Sequence, residues 1–187
     1  MKRLIPIFAI FLSIMVSGCD PHKDGTNNLE SELITRVEVW LVCTDSAFHD
    51  SIMCRWDDPD GLGGNNPSLP DTMRLKSNKS YMGLVKFGFE QNGVFQYINQ
   101  TIENESENHL LCYEINSMTM PPDIGLSIKR TDKDKNGLEL GLTTKWETYR
   151  MDKGGIQIRL KHQPNMKNGQ CEPGETDVEV NFPYLIK

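Results

Sequence analysis

The chain has 187 residues, a formal net charge of −6 and 37% hydrophobic residues. A chain of this length fits one domain with a full hydrophobic core. The acidic balance disfavours nucleic acid and anionic lipid surfaces as partners, and it favours cations or basic protein surfaces.

The first nineteen residues have the order of a bacterial lipoprotein signal. Positively charged Lys2 and Arg3 precede an apolar, uncharged run over 4–16, which is shorter than an ordinary membrane span. The run ends in Val-Ser-Gly-Cys, which is similar to the bacterial lipobox, where the cysteine is acylated and the chain is cut just before it. We therefore predict a signal peptide over 1–18 and acylation of Cys19 by fatty chains such as palmitate. A cleaved secretion signal with an incidental cysteine is the alternative.

A polar segment over 19–32 follows and has no hydrophobic periodicity. This composition is typical of a flexible tether, because it offers no apolar face to bury. Several acyl chains on Cys19 make a membrane anchor persistent, whereas one chain alone anchors only marginally. We therefore expect a lipidated tether in the cell envelope, followed by a single domain over 33–187.

The domain is predicted to consist of strands. Residues 34–42 alternate β-branched or aromatic residues with polar ones, which is the period-two pattern of a half-buried strand. Further strand candidates follow at a spacing of about ten residues, with turn residues between them. They are 52–56, 71–75, 81–90, 96–102, 109–115, 124–130, 140–149, 155–162 and 176–186. This pattern predicts an all-β fold, an antiparallel β-sandwich of immunoglobulin-like type, with a strand–turn–strand corner over 75–81.

The cysteines that remain after Cys19 are an even set in an exported chain. Cys43, Cys54, Cys112 and Cys171 fit two disulfides, for which there are three connectivities. Because Cys43 and Cys54 flank a short turn segment, we favour a local bridge between them, which leaves Cys112 to pair with Cys171. A thiolate metal site is the alternative, although the sequence has no Cys-x-x-Cys pair.

The segment 56–66 concentrates oxygen donors beside glycines. It contains Asp57, Asp58 and Asp60, together with two asparagines and three glycines. Ca²⁺ takes about six to eight oxygen ligands, and glycines let backbone carbonyls complete the shell. We therefore predict a candidate Ca²⁺ site here. A plain solvated turn is the alternative, because the same residue types form ordinary turns.

A second acidic loop matches the first half of an EF-hand calcium loop. Asp132, Asp134 and Asn136 occupy its first, third and fifth positions, and Gly137 occupies the sixth. The match then fails, because Thr143 stands where the bidentate glutamate is required. A Ca²⁺ site is one interpretation of this loop, and a β-hairpin turned by Asn136-Gly137 is the other.

Histidine is scarce, with 4 in the chain. His109 follows an acidic run, and His162 ends a predicted strand. Two imidazoles with nearby carboxylates bind Zn²⁺ or Cu²⁺ if the fold brings them together, so this pair is a candidate transition-metal site. No local spacing such as His-x-His supports that hypothesis, and ordinary surface or hydrogen-bonded histidines are the alternative.

Several stretches together resemble a family of small lipoproteins of the Bacteroidota lineage. They are 56–64, 108–109, 131–137 with 141–144, 160–164 and 174–178. Members often bear the label "type 1 periplasmic-binding fold", but that two-lobed α/β receptor does not fit a strand-rich domain of this length. Their genes are often found near those of TonB-dependent outer-membrane receptors. The resemblance therefore implies an accessory role in uptake at the outer membrane, by analogy.

No catalytic motif stands out. The sequence has no Gly-x-Ser-x-Gly, no glycine-rich phosphate loop and no His-Glu-x-x-His. We therefore expect a non-enzymatic binding or accessory subunit that cooperates with a TonB-dependent receptor, with contacts on the loops at the rim of the sandwich. The alternatives are a metal-binding lipoprotein, with Ca²⁺ or a transition metal, and a structural subunit for envelope assembly.

Overall fold

A computed structural model describes residues 33–45, 49–61, 64–91, 93–119 and 125–187. The predicted signal peptide, the acylated Cys19 and the tether lie outside the described residues. The described segments belong to one compact unit, Ser31–Lys187. Among these residues, no helix is long and apolar enough to cross a membrane.

The described residues form ten strands, one α-helix and one 3-10 turn over Ser106–Asn108. They are β1 (Arg36–Cys43), β2 (Ser51–Asp57), β3 (Met73–Leu75), β4 (Lys79–Gln91), β5 (Val94–Tyr97), α1 (Asn99–Asn104), β6 (His109–Ser117), β7 (Leu126–Arg130), β8 (Thr143–Thr148), β9 (Asp152–His162) and β10 (Glu175–Ile186). Each predicted strand segment overlaps one of these strands, in the same chain order.

The strands form two sheets that pack against each other. The larger sheet has the order β2-β1-β4-β8-β7, with β5 paired to β4. The smaller sheet has the order β3-β10-β9-β6, so β10 lies between β3 and β9. Neighbouring strands are antiparallel except β3 and β10, which are parallel. The predicted all-β sandwich is therefore confirmed.

The core follows from the alternation of side chains along each strand. In β1, Val37, Val39 and Leu41 are buried, whereas Trp40 and Val42 face away from the second sheet and are exposed. Successive residues of a strand point to opposite faces, so one period-two stripe faces the core. The inner faces of both sheets meet in one cluster of buried apolar residues.

The predicted corner between the sheets is present at the β3–β4 connection. The Lys76 backbone N–H donates a hydrogen bond to the Tyr81 hydroxyl oxygen at 3.0 Å. Asn78 takes a left-handed backbone with φ of 53°, a conformation that asparagine tolerates better than most residues. This bond back to the upstream backbone is the tyrosine corner of immunoglobulin-like sandwiches.

The structure differs from the predicted strand over 96–102. Strand β5 ends at Tyr97 and helix α1 begins at Asn99. The Asn99 side chain accepts a hydrogen bond from the Phe87 N–H and donates one to the Val85 carbonyl, both on β4. The Asn99 side chain thus satisfies backbone groups of β4 that a longer β5 would otherwise pair with. The chain then continues as helix α1, whose Ile102 side chain is buried.

The cysteines pair as predicted in one case and not in the other. Cys112 and Cys171 form a disulfide, with their Cα atoms 5.9 Å apart. The predicted bridge between Cys43 and Cys54 is wrong for this fold, since both are free and buried. Val39 lies opposite Cys54, so Cys43 is offset by four residues along β1. That offset is about 13 Å, well beyond the Cα separation that a disulfide spans.

Candidate functional site

The first acidic loop splits its carboxylates between two faces. Asp57 ends β2 on its outer face, where Arg36 and Arg55 both form ion pairs with its carboxylate. Asp58 follows on the opposite face and is only 8% exposed. The predicted cluster of three carboxylates is therefore wrong, because Asp57 is already paired with two arginines and lies apart from the buried Asp58.

Asp58 and Asp60 remain close to each other. Burial raises the pKa of Asp58, and the neighbouring Asp60 carboxylate acts in the same direction by charge repulsion. Asp60 accepts hydrogen bonds at 2.7 Å from the backbone N–H and the side-chain amide of Asn65. The Oδ1 atom of Asp58 is buried and makes no hydrogen bond within the described residues. Ionised Asp58 is thus poorly compensated.

We expect Asp58→Asn to raise the free energy of unfolding at neutral pH. A carboxyl group with a raised pKa in the folded state costs stability when the pH exceeds its unfolded value, and the amide removes that cost. Urea unfolding should show the gain at neutral pH and a smaller gain as the pH falls towards the ordinary carboxyl range of about 4, because a carboxyl group with a raised pKa takes up its proton earlier in the folded state. Asp57→Asn, which loses two arginine partners, should destabilise instead. If Asp58→Asn is less stable than the native chain in the presence of Ca²⁺, the Asp58 carboxylate binds the cation.

The second acidic loop already satisfies its carboxylates. Asp132 accepts hydrogen bonds from the N–H groups of Gly141 and Thr143, at 2.7 and 3.0 Å. Asp134 accepts bonds from two amides of its own turn and from the Lys167 ammonium at 2.9 Å. The predicted calcium loop is therefore wrong in this respect, because an internal lysine occupies the position of the cation beside Asp134. The Asn136 side chain lies exposed.

The fold does bring the two predicted histidines together. His109 and His162 are register partners on β6 and β9, and their rings stack at 5.0 Å with an interplanar angle of 11°. Stacked rings present their faces rather than their nitrogens to each other, so they do not form the predicted two-imidazole metal site. Within the part of the chain that the structure describes, no group of three or more His, Cys, Asp or Glu residues is arranged to hold a metal ion.

His109 is buried among polar groups at the start of β6. Its Nδ1 atom lies 3.1 Å from the Glu105 carbonyl oxygen, and its Nε2 atom lies 4.0 Å from Oδ2 of Asp177. Burial lowers the pKa of His109, the bond to the Glu105 carbonyl opposes that shift, and the neighbouring His162 adds to it. The stacked histidine rings therefore belong to the packing between β6 and β9, with His109 buried.

A cleft lies at the same end of the sandwich, and we call it the amide cleft. Its volume is about 510 Å³. The lining residues are Glu107, Asn108, Asn136, Leu138, Pro164, Asn165 and Lys167. They come from the turn before β6, the loop before β8 and the loop after β9. Three parts of the chain that are far apart in the sequence meet at this cleft.

The walls of the amide cleft are held by internal bonds. Lys167 donates hydrogen bonds to the Ser106 carbonyl at 2.8 Å and to Asp134 at 2.9 Å. Lys135 pairs with Glu107 across two of the loops. By contrast, the side chains of Asn108, Asn136 and Asn165 form no hydrogen bond within the described ranges, so their amide groups are available to a ligand.

Sequence reasoning named Asn136 and the 108–109 stretch, but not the cleft. Asn165 and Lys167 have no motif of their own, and the three asparagines lie in separate parts of the chain. The pairing of β6 with β9, with His109 opposite His162, brings Asn108 near Asn165. The ion pair between Lys167 and Asp134 ties the turn that carries Asn136 to the same loop. No local spacing signals that arrangement.

A second surface lies on the outer face of the larger sheet, which we call the apolar patch. Its members are Trp40, Val42, Met53 and Met82, which are 39%, 53%, 45% and 44% exposed. Met53 lies opposite Trp40, and Met82 lies opposite Val42. The four side chains therefore form one contiguous apolar surface. The run Val39-Trp40-Leu41-Val42, which is apolar on both faces of β1, is its signal in the sequence.

A network of polar contacts borders the apolar patch and fixes Trp40. The buried Glu38 carboxylate accepts hydrogen bonds from the Trp40 indole N–H at 2.9 Å and from the Tyr97 hydroxyl at 3.1 Å. The Lys86 ammonium lies 5.0 Å from both ring centroids, within range of cation–π attraction. The large side chain at the patch is thus held in one orientation.

Comparison with known proteins gives no match: no family model, no curated protein and no solved structure is significantly similar to this chain.

Proposed function

We propose that this chain is a lipid-anchored, non-enzymatic accessory subunit of the outer membrane that docks a TonB-dependent receptor through the apolar patch. The observation that supports it best is the patch itself. Large contiguous apolar surfaces are uncommon on monomeric proteins and often mark sites of protein–protein contact. The receptor as partner comes from the family resemblance, and membrane attachment comes from the predicted acylation of Cys19.

The composition of the patch fits the centre of a protein interface. Trp and Met are enriched in interface cores, while charged groups are depleted there and form the rim. Here Trp40, Met53 and Met82 lie at the centre, and the Glu38, Lys86 and Tyr97 network lies beside them. Because Trp40 is already fixed, its docking costs little further conformational entropy.

The tether adds to this docking by raising the local concentration of the partner. A domain attached by a short flexible linker to the membrane of its partner binds that partner as if it were present at high concentration. A modest patch is then sufficient for stable association. The prediction that 19–32 is flexible therefore supports an accessory subunit with a small interface.

We expect Trp40→Ala to reduce recovery of the receptor with the tagged full chain by more than tenfold. Removing a central aromatic anchor commonly costs about 2 kcal/mol or more in binding. The measurement is affinity purification from detergent-solubilised outer membranes, with mass-spectrometric quantification of TonB-dependent receptors. Met53→Lys should have the same effect, because it places a charge in the interface core.

Met151→Lys is the matched control, since Met151 is a solvent-exposed methionine away from the patch and should not affect recovery. Cys19→Ser should release the chain from the membrane fraction and lower recovery as well. The proposal is wrong if the native chain retains no receptor, or if the patch variants retain as much as Met151→Lys does.

A further inference from the structure

We infer that the amide cleft is a binding site for a neutral polyhydroxylated small molecule, a saccharide. This ligand site is separate from the apolar patch, so the inference does not depend on whether the patch docks a receptor. The volume of about 510 Å³ lies within the usual range of small-molecule sites. The chemistry of the lining residues narrows the ligand class.

The charges of the amide cleft are neutralised within the protein. Lys167 is only 3% exposed at its side chain and is paired with Asp134, which is itself fully buried. Glu107 is paired with Lys135. An anionic ligand would have to draw Lys167 away from the buried Asp134 carboxylate, and a cationic ligand would have to compete with Lys135 for Glu107. A neutral ligand does neither. The lining therefore favours uncharged molecules.

The remaining polar groups match hydroxyl groups. Each asparagine side chain offers two N–H donors beside one carbonyl acceptor, and each hydroxyl is both a donor and an acceptor. Asn108, Asn136 and Asn165 all line one cleft, and their side-chain amides form no hydrogen bond within the described residues. Adjacent hydroxyls of a sugar ring satisfy such amides in donor–acceptor pairs, while Leu138 and Pro164 supply a small apolar surface for the ring carbons.

The geometry of the cleft is set before a ligand arrives. Asn165 adopts a left-handed backbone with φ of 59°. The Gln163 N–H, close to it in the chain, donates a hydrogen bond to the Asn108 carbonyl at 2.6 Å. Asp134 fixes the turn that carries Asn136 by accepting bonds from two backbone amides. Preorganised polar groups of this kind bind with a smaller entropy cost.

Saturation-transfer NMR on the full chain in detergent tests the inference. The probes are glucose, maltose, lactose, cellobiose and N-acetylglucosamine at millimolar concentration, with triglycine and citrate as a peptide and an anion of similar size. We expect saturation of ring protons in at least one sugar. The double variant Asn136→Ala with Asn165→Gly should reduce the affinity for that sugar by about tenfold, since each lost hydrogen bond reduces affinity severalfold. Glycine is chosen at 165 because it accepts the left-handed backbone.

Asn116→Ala is the matched control, because Asn116 is an exposed asparagine on β6 outside the cleft lining. It should bind the sugar as the native chain does, and the thermal unfolding of all variants should be unchanged. The inference is overturned if no sugar is saturated, if the double variant and the control bind alike, or if triglycine or citrate binds in the cleft and the sugars do not.

Discussion

Loss of the Cys112–Cys171 disulfide, by Cys112→Ala with Cys171→Ala, is expected to lower the free energy of unfolding by about 4 kcal/mol. The bridge joins residues 59 apart in the sequence, and closing a loop of that size removes much conformational freedom from the unfolded chain. It also ties the loop between β9 and β10 to the interior of β6. Urea unfolding of both forms in non-reducing buffer measures the difference.

A reducing agent provides the control for this prediction. It should destabilise the native chain by a similar amount and leave the double variant unchanged, because Cys43 and Cys54 are free. If the variant unfolds within 1 kcal/mol of the native chain, on the order of experimental scatter, the bridge is not a main source of stability.

Lys167→Met should cost about 3 to 5 kcal/mol of folding stability. The substitution removes the ammonium group and leaves the fully buried Asp134 carboxylate without its counter-charge. Burial raises the pKa of Asp134, but its hydrogen bonds, with Lys167 foremost, outweigh that effect and lower the pKa overall. A lowered carboxyl pKa stabilises the fold above the unfolded value and loses that effect as the pH falls through the folded value. The gap between native and variant should therefore narrow below pH of about 4.

Two further variants separate the buried charge from a general effect of losing a lysine. Lys135→Met removes an exposed ion pair with Glu107 and should lower the free energy of unfolding far less than Lys167→Met does. Asp134→Asn combined with Lys167→Met should regain part of the lost stability, because the asparagine carbonyl still accepts from the turn amides. Equal losses for Lys167→Met and Lys135→Met would rule out a stabilising role for the buried pair.

The strands were predictable because their signal is local. In β1 and β10 the side chains largely alternate between core and solvent, and the sequence shows the same period of two in its apolar and polar residues. Helix α1 was not predictable in the same way. Its start depends on Asn99, whose side chain forms hydrogen bonds with the backbone of β4, two elements earlier in the chain. Periodicity carries no information about such a contact.

The candidate sites illustrate the same limit. Both acidic loops are rich in oxygen donors, but the partners of those oxygens come from elsewhere in the fold. Arg36 on β1 forms an ion pair with Asp57, and Lys167 in the loop after β9 forms one with Asp134. Tertiary ion pairs thus replaced the predicted cations. The histidine pair was predicted as a pair, yet only the strand register decided that the rings stack.

The position of β10 between β3 and β9 constrains the order in which this protein can fold. Within the described residues, β3 lies at the edge of the smaller sheet and pairs there with β10 alone. Residues 73–75 therefore have no partner in this sheet until residues 184–186 are present. During synthesis from the N-terminus, the smaller sheet therefore cannot be completed until β10, the last strand, is available. Such long-range pairing slows folding and prolongs exposure of strand edges.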